Sequence, residues 1–339
     1  MSGTHYLDRI PFPVLIGDIG GTNARFALVV DSEAPTIRFP DARTADFATI
    51  DDAMEHALGG SGLRPKASIL ALAGPITGER VPLTNCPWVV EPRRIVARFG
   101  LAEMILLNDF EAQSLSLPGL TAADLDPIGG GSAAAEGARV VVGPGTGLGA
   151  GALIHARGTW IPVPGEGGHI DLGPVTKRDM ALWPHLERAH GRISAEALLS
   201  GAGLMRLYRG VAALDGGTAG LATPAEVANN GLSGADGNAA EALKLFAIYL
   251  GRFAGDLALV FMARGGVYLA GGIPTKIAPA LKAGGFRAAF LDKAPHDGLV
   301  AEFATAIITK TDPALAGIAA FAKAPMHFGV ELAGRWWRG

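Results

Sequence analysis

Residues 14–30 read VLIGDIGGTNARFALVV, and the rest of the chain is organised around this stretch. Two apolar runs flank a turn made of Gly20, Gly21, Thr22 and Asn23. Glycine and asparagine supply the positive φ that tight hairpins need. The pattern therefore predicts strand, turn, strand.

The same turn has the chemistry of an anion site. Adjacent glycines leave backbone N–H groups uncovered, and such groups form anion-binding concavities. Arg25 could bind a phosphate with its fork of donors. Asp18, at the end of the first strand, could hold Mg²⁺ directly or through water. An ordinary hairpin explains the turn taken alone, so both interpretations stay open at this point.

Composition limits the class of protein. A chain of 339 residues is long enough for two domains. The formal net charge of −3 gives no electrostatic footprint for nucleic acid. A single cysteine, Cys86, excludes an intramolecular disulfide and a multi-cysteine metal site, and it fits a reducing cytosol.

No membrane or secretory segment is predicted. Residues 1–12 lack the apolar core of a signal peptide. The most apolar region, residues 243–273, is interrupted by four charged side chains. We expect a cytoplasmic protein without a nucleic-acid or membrane partner.

The first half alternates strands and helices after the opening hairpin. The predicted elements are a strand over Thr36–Phe39, a helix over Phe47–Leu58 capped by Asp46, a strand over Ser68–Ala73, a helix from Pro92 to just before Gly100, and a strand over Glu103–Leu107.

The second half repeats this plan after a connection over residues 118–137. The predicted strands cover Arg139–Gly143, Ala150–Ala156, Gly158–Val163, Val267–Ala270 and Phe303–Thr309. The predicted helices cover Lys177–His190, Ala195–Gly210, Pro224–Asn229 and Ala239–Ala263, and a last helical segment runs from Asp312 towards Trp337. Two halves that each open with strand, glycine turn, strand indicate an internal duplication.

The second glycine turn, over Pro144–Gly149, has a competing interpretation. A dinucleotide fingerprint fits Gly145, Gly147 and Ala150, with Glu166 about 20 residues on. That motif needs a helix after the glycines, whereas the sequence predicts a strand. No Walker A pattern occurs in the chain. Two such turns therefore predict a triphosphate bound in a cleft between the halves.

The candidate polar site residues lie at a strand end, in a glycine-rich loop and at the start of a predicted helix. Asn108 and Asp109 follow an apolar strand, and ligands of open α/β sheets bind at such carboxyl ends. Asp109 could instead only cap the helix beginning at Phe110. A glycine-rich loop carries Glu166 and His169. Glu196 follows a predicted cap, so it could serve only as a complement to a helix dipole. We interpret His185 and His190 as surface groups.

The chain resembles the bacterial glucokinase family of the non-ROK type, within the actin/hexokinase-like sugar kinase superfamily. The resemblance covers nearly the whole length in order, and the combination of its motifs is specific. The motifs are the residues 17–25, 107–110, 143–149, 164–169, 194–196, 199–201 and 270–273.

The resemblance implies a fold and a reaction. The fold is α/β, an actin-like ATPase (ribonuclease H-like) duplicated fold with two α/β domains around a central cleft. Residues 1–118, completed by a C-terminal helical segment over 313–339, would form the smaller domain, and residues 119–312 the larger. The reaction is ATP-dependent phosphorylation of D-glucose to D-glucose 6-phosphate, the first step of glycolysis, with domain closure by induced fit.

The resemblance also implies residue roles. Asp109 would be the catalytic base, and the sugar would be held by Asn108, Asp109, Glu166, His169 and Glu196. ATP would be held by Gly17, Asp18, Ile19, Gly20, Gly21, Thr22, Thr146 and Gly147, with Gly271 and Gly272 beside the adenosine. Mg²⁺ would lie at Asp18. Where ROK kinases have a cysteine-rich zinc site, residues 170–173 contain no cysteine, so we expect no zinc.

Alternatives remain. The substrate could be another hexose, such as mannose, fructose or an amino sugar, and the phosphate donor could be polyphosphate. A sugar-responsive regulator is disfavoured because no helix-turn-helix fits before Val14. A filament-forming ATPase is disfavoured because it has no use for Glu166, His169 and Glu196, which are expected to bind the sugar. A homodimer is what the family would suggest.

Overall fold

The structure is a computed structural model that describes residues 7–60, 62–83 and 86–339. Residues 1–6, part of the stretch for which no secretory signal is predicted, lie outside the described residues. Contacts group the chain into two compact units. Unit 1 comprises Met1–Leu120, Leu153–Pro164 and Thr311–Gly339, and unit 2 comprises Thr121–Ala152 and Gly165–Lys310.

The described residues form a mixed α/β structure. The strands are β1 (Val14–Ile19), β2 (Asn23–Val29), β3 (Ile37–Arg38), β4 (Ala42–Arg43), β5 (Ala67–Leu72), β6 (Val81–Pro82), β7 (Val89–Val90), β8 (Glu103–Asn108), β9 (Leu125–Gly129), β10 (Arg139–Pro144), β11 (Leu148–Ala156), β12 (Thr159–Gly165), β13 (Val267–Leu269), β14 (Thr305–Ile308) and β15 (Trp336–Arg338). The α-helices are α1 (Ile50–Leu58), α2 (Pro92–Phe99), α3 (Asp109–Ser116), α4 (Lys177–Leu182), α5 (Ala195–Leu198), α6 (Gly201–Leu214), α7 (Pro224–Ser233), α8 (Gly237–Phe261), α9 (Gly272–Lys276), α10 (Ala278–Lys282), α11 (Gly285–Leu291), α12 (Asp297–Ala301) and α13 (Pro313–Lys323).

The sheet of unit 1 contains the opening hairpin. Its strand order is β15-β8-β5-β1-β2-β3, and β4 also pairs with β2. Strand β1 runs antiparallel to β2 and parallel to β5, and β5 runs parallel to β8. These central strands are apolar and almost fully buried, as expected for parallel strands covered on both faces. The predicted strand, turn, strand is confirmed.

A second sheet has the order β12-β11-β10-β13-β14-β9. Strand β13 runs parallel to both β10 and β14, whereas β9 is antiparallel to β14. The glycine turn that precedes β11 leads into a strand, as predicted, and not into a helix. The dinucleotide interpretation is therefore excluded, because it needs a helix N-terminus at this position.

Helix α3, which begins at Asp109, is packed closely by α13 of the same unit. A Cβ atom added to Gly317 would lie 2.0 Å from the Ala112 carbonyl oxygen. Only glycine allows the two helices to approach so closely. The last helix thus supports the helix that starts at the candidate base.

Two helices differ from the sequence prediction at their ends. Helix α1 begins at Ile50 and not at Phe47, because Thr49 and not Asp46 is the N-cap; its Oγ1 accepts the Asp52 N–H at 3.3 Å. Helix α4 ends at Leu182, and Trp183–His185 continues as a single 3₁₀ turn. Pro184 lacks the N–H that a continuing α-helix would need.

Two further segments also differ. The helix predicted over Ala195–Gly210 is broken at Ser200, whose Oγ accepts the Gly203 N–H at 3.1 Å and begins α6. The C-terminal segment is not helical to its end. Helix α13 ends at Lys323, and Trp336–Arg338 forms a strand that pairs with β8.

Within the part of the chain that the structure describes, no helix is both long and apolar enough to cross a membrane.

Candidate functional site

The β1–β2 turn is held by hydrogen bonds at its carbonyl groups. The Gly20 N–H donates to the Asn23 carbonyl at 3.0 Å. Thr44 donates its backbone N–H to the Thr22 carbonyl at 3.0 Å and its hydroxyl to the Gly21 carbonyl at 2.8 Å. The predicted phosphate-binding residues Gly17 to Thr22 therefore sit on a strand end and turn with a defined conformation.

Arg25 is bound by carboxylates of its own unit. It lies opposite Asp18 in the hairpin, and its Nη1 is 3.2 Å from Oδ2 of Asp18. Its Nε is 3.2 Å from Asp312 and 3.5 Å from Asp41. Arg38 pairs with both Asp312 and Asp41 as well. In the structure Arg25 thus orients Asp18, rather than presenting its fork for a phosphate.

Asp18 has an environment that differs from that of a surface carboxylate. Its side chain is 18% exposed. Burial raises the pKa of the Asp18 carboxyl above its ordinary value, and the neighbouring Arg25 opposes that shift. In the described ranges 7–60, 62–83 and 86–339, including the surroundings of Asp18, no group of three or more His, Cys, Asp or Glu side chains could hold a metal ion.

Asn108 and Asp109 have different structural roles at the end of β8. Asn108 is the N-cap of α3, and its Oδ1 accepts N–H groups from Phe110 and Glu111 at 2.9 and 3.3 Å. Its Nδ2 donates to the Gly74 carbonyl at 3.3 Å. Asp109 is the first helical residue and is partly exposed, and its Oδ1 accepts the Phe110 N–H at 3.0 Å. The alternative in which Asp109 is itself the N-cap is therefore wrong.

A buried ion pair fixes this strand end. Glu111 is 1% exposed, and its carboxylate accepts the Asn108 N–H at 3.2 Å. Arg335, which lies 224 residues further on, donates to both oxygens of Glu111 at 2.5 and 3.2 Å. The residue before the candidate base is thus tied to the C-terminal segment. The sequence contained no signal for this contact, because it depends on pairing between distant strands.

We expect Arg335→Ala to lower the free energy of unfolding by about 3–5 kcal/mol, because it leaves the buried Glu111 carboxylate without its partner. Urea denaturation followed by circular dichroism measures the change. Arg338→Ala is the control, since Arg338 is exposed and stacks on Trp336, and we expect it to cost about 1 kcal/mol or less. Equal losses in the two variants would contradict the importance of the buried pair.

In unit 2 the second glycine turn contacts Glu196. The turn is closed by a hydrogen bond from the Gly145 N–H to the Gly147 carbonyl at 2.8 Å. The Leu148 N–H donates to Oε2 of Glu196 at 2.9 Å. Gly271, which has a φ of 92°, lies near the same turn, since a Cβ added there would be 3.4 Å from the Pro144 carbonyl oxygen. The structure thus brings Gly147, Glu196 and Gly271 to one turn.

The loop with Glu166 and His169 lies close to α5. Nε2 of His169 is 3.8 Å from Oε2 of Glu166, and both side chains are more than half exposed. The Ala195 N–H donates to the Ile170 carbonyl at 2.8 Å, which joins the loop to the start of α5. Loop and helix are therefore held together by the backbone, while the polar side chains stay accessible.

A cavity of about 290 Å³ in unit 2 is lined by three of the predicted residues, namely Thr146, His169 and Glu196. His190 and Arg206, which the sequence did not point to as site residues, also line it, and His190 is exposed as expected. Arg206 is one turn and a half into α6, and nothing in its spacing distinguishes it from a structural arginine.

The chain is similar in sequence and in structure to known glucokinases. A family model described as Glucokinase matches residues 15–325. A glucokinase from Chelativorans sp. (strain BNC1) is 56% identical over 97% of this chain and 96% of its own length. One from Brucella suis biovar 1 is 53% identical over 96% of each chain. The crystal structure of a glucokinase from an Antarctic psychrotroph is 32% identical, with a TM-score of 0.82 over 92% of this chain and 98% of that one.

The proteins that it matches are sugar kinases, a class of enzyme that transfers a phosphoryl group to a sugar. The chain belongs to the glucokinase family, because both the family model and the relatives match over nearly its full length.

Proposed function

We propose that this protein catalyses the ATP-dependent phosphorylation of D-glucose to D-glucose 6-phosphate. The observation that carries the proposal is membership of the glucokinase family across nearly the whole chain. Phosphoryl transfer asks a protein mainly for positioning and for stabilisation of charge. Groups with these properties are present in both units, and the proposal assigns a role to each.

Asp109 is the general base in this proposal. A sugar hydroxyl has a pKa far above 7, so a carboxylate must accept its proton as the bond to phosphorus forms. The capping of α3 by Asn108 supports the assignment, because the helix does not depend on Asp109 for its N-cap. The partial exposure of Asp109 leaves it accessible to a substrate.

Asn108, Asp109, Glu166, His169 and Glu196 bind the sugar in this proposal. Carboxylates and a neutral histidine accept hydrogen bonds from hydroxyl groups. The shared cavity of His169 and Glu196, with Glu166 beside His169, supports their joint role. Such a site discriminates against analogues that lack a hydroxyl, because the polar groups left unpaired are costly.

The ATP phosphates are bound by the two glycine turns in this proposal, through Gly17 to Thr22 and through Thr146 and Gly147. Gly271 and Gly272 lie beside the adenosine. Apart from its chain neighbours and its own helix, no heavy atom of the described residues lies within 4 Å of a Cβ built on Gly272, so a ligand can approach the backbone there. Asp18 would hold Mg²⁺, which neutralises phosphate charge when bound, and the orientation of its carboxylate by Arg25 suits that task.

The duplicated actin-like ATPase fold is part of the proposal. The orders β2-β1-β5-β8 and β11-β10-β13-β14 support it, because each places the strand before a glycine turn between its hairpin partner and two parallel strands. The domain boundaries at 118/119 and 312/313, the closure on sugar and the homodimer stay predictions.

A sugar panel tests the reaction. We expect purified protein with Mg-ATP to release ADP in the presence of glucose, with a higher kcat/KM than for mannose, fructose or glucosamine. Replacing ATP by polyphosphate should abolish glucose 6-phosphate formation. Release of ADP that depends on no hexose at all would contradict the proposal, and preference for another hexose would favour the alternative substrate.

Metal dependence is tested separately. We expect no stoichiometric zinc by elemental analysis, and full recovery of activity when protein treated with a chelator is given Mg²⁺ alone. The reason is that Cys86 is the only cysteine, so the chain lacks the ligands of a cysteine-rich zinc site. Zinc at one equivalent, needed for activity, would contradict the assignment to the branch without zinc.

A further inference from the structure

The carboxylate of Glu196 fills the space next to Gly147 in the second glycine turn. Oε2 of Glu196 accepts the Leu148 N–H at 2.9 Å. A Cβ atom added to Gly147 would lie 2.6 Å from the same oxygen, which is closer than real Cβ atoms approach. The carboxylate therefore lies where a side chain on residue 147 would be.

The segment that carries Glu196 holds the turn at a second point. The Gly201 N–H donates to the Gly145 carbonyl at 2.9 Å. The Ser200 hydroxyl donates to the Glu196 carbonyl at 2.9 Å, which connects the two attachment points. Residues 196–201 are thus hydrogen-bonded to both ends of the turn from Gly145 to Leu148. A displacement of residues 196–201 would therefore displace the turn as well.

We propose that Gly147 and the Leu148 N–H are positioning elements for the sugar site, and that through Glu196 they couple the affinities of sugar and ATP. The inference rests on the proposed function, which places Glu196 at the sugar and the turn at the phosphates. The turn engages Oε2, and Oε1 is the oxygen that accepts from a sugar hydroxyl. A sugar that orders the carboxylate also orders the turn and so raises the affinity for ATP. By linkage, bound ATP raises the affinity for the sugar by the same factor.

Gly147→Ala tests the proposal. Gly147 does not have a positive φ, so its backbone tolerates alanine. The added methyl group meets the end of a flexible side chain and not backbone, so it displaces the carboxylate from Leu148. Gly220→Ala is the matched control, since it adds the same methyl group at an exposed loop position of unit 2, outside the proposed site, where no heavy atom of the described residues other than its chain neighbours lies within 4 Å.

We expect Gly147→Ala to raise the glucose KM by about 10-fold or more, as the loss of a hydrogen bond to a charged acceptor predicts. The glucose KM of Gly220→Ala should stay within about twofold of the native value. The second readout is the ratio of the Kd values of a non-hydrolysable ATP analogue without and with saturating glucose. This ratio should fall towards one in Gly147→Ala and persist in Gly220→Ala.

Glu196→Asp is a second route to the same result if Gly147→Ala does not fold. It keeps the charge but withdraws it by one methylene from Leu148, so the coupling ratio should again fall towards one. A native coupling ratio and native glucose KM in both Gly147→Ala and Glu196→Asp would overturn this inference alone. A native protein that phosphorylates no hexose would overturn the proposed function and this inference with it.

Discussion

Asp109→Asn is expected to lower kcat by about 10²-fold to 10⁴-fold, which is the range that general bases contribute. The amide keeps an oxygen that can accept the Phe110 N–H, as Oδ1 of Asp109 does at 3.0 Å. It cannot accept the proton of a sugar hydroxyl. The variant should therefore fold and bind glucose, with a KM that changes much less than kcat.

The stability cost of this variant should be small. Removing a negative charge from the first turn of α3 is worth about 0.3–1 kcal/mol, so a thermal melt separates the loss of catalysis from loss of fold. Asp297→Asn is the control, because Asp297 is exposed in the first turn of another helix. A kcat near the native value in Asp109→Asn would mean that another group is the base.

Glu196→Gln has the second largest expected effect, on sugar affinity. The Gln oxygen can keep the bond to the Leu148 N–H that Oε2 of Glu196 accepts at 2.9 Å. The NH₂ group then faces the sugar, so that a donor meets a donor. Hydrogen bonds to charged groups contribute about 1.5–3 kcal/mol, so the glucose KM should rise by roughly 10-fold to 100-fold. Because the turn stays attached, the ATP KM should change little.

The alternative role of Glu196 makes the opposite prediction. If the carboxylate only complemented the dipole of α5, the change would cost about 0.3–1 kcal/mol of stability and leave the glucose KM unaltered. Two-substrate kinetics beside a thermal melt distinguishes the two. Glu302→Gln, at an exposed position of the same unit, controls for the removal of one negative charge. An unchanged glucose KM in Glu196→Gln would leave Glu166 and His169 to bind the sugar.

Local signals predicted the elements that depend on nearby residues. The two glycine turns and their flanking strands follow from apolar runs interrupted by Gly and Asn. Helix α2 begins at Pro92 and ends at Phe99, just before Gly100 with its φ of 63°, as the pattern of proline first and glycine last predicts. The same kind of signal failed at the start of α1, where two residues that can cap a helix lie three positions apart and the structure uses Thr49 rather than Asp46.

The amino-acid sequence by itself determined on which strand ends, turns and loops the residues of the proposed site lie, because periodicity, glycine and capping act over a few residues. Contacts between distant residues were decided only by the tertiary structure. Trp336–Arg338 is a strand because the edge of β8 offers it a pairing partner, and Glu111 is charge-paired because that pairing brings Arg335 beside it. Likewise, only the folded chain reveals that Gly147 makes room for the carboxylate of Glu196.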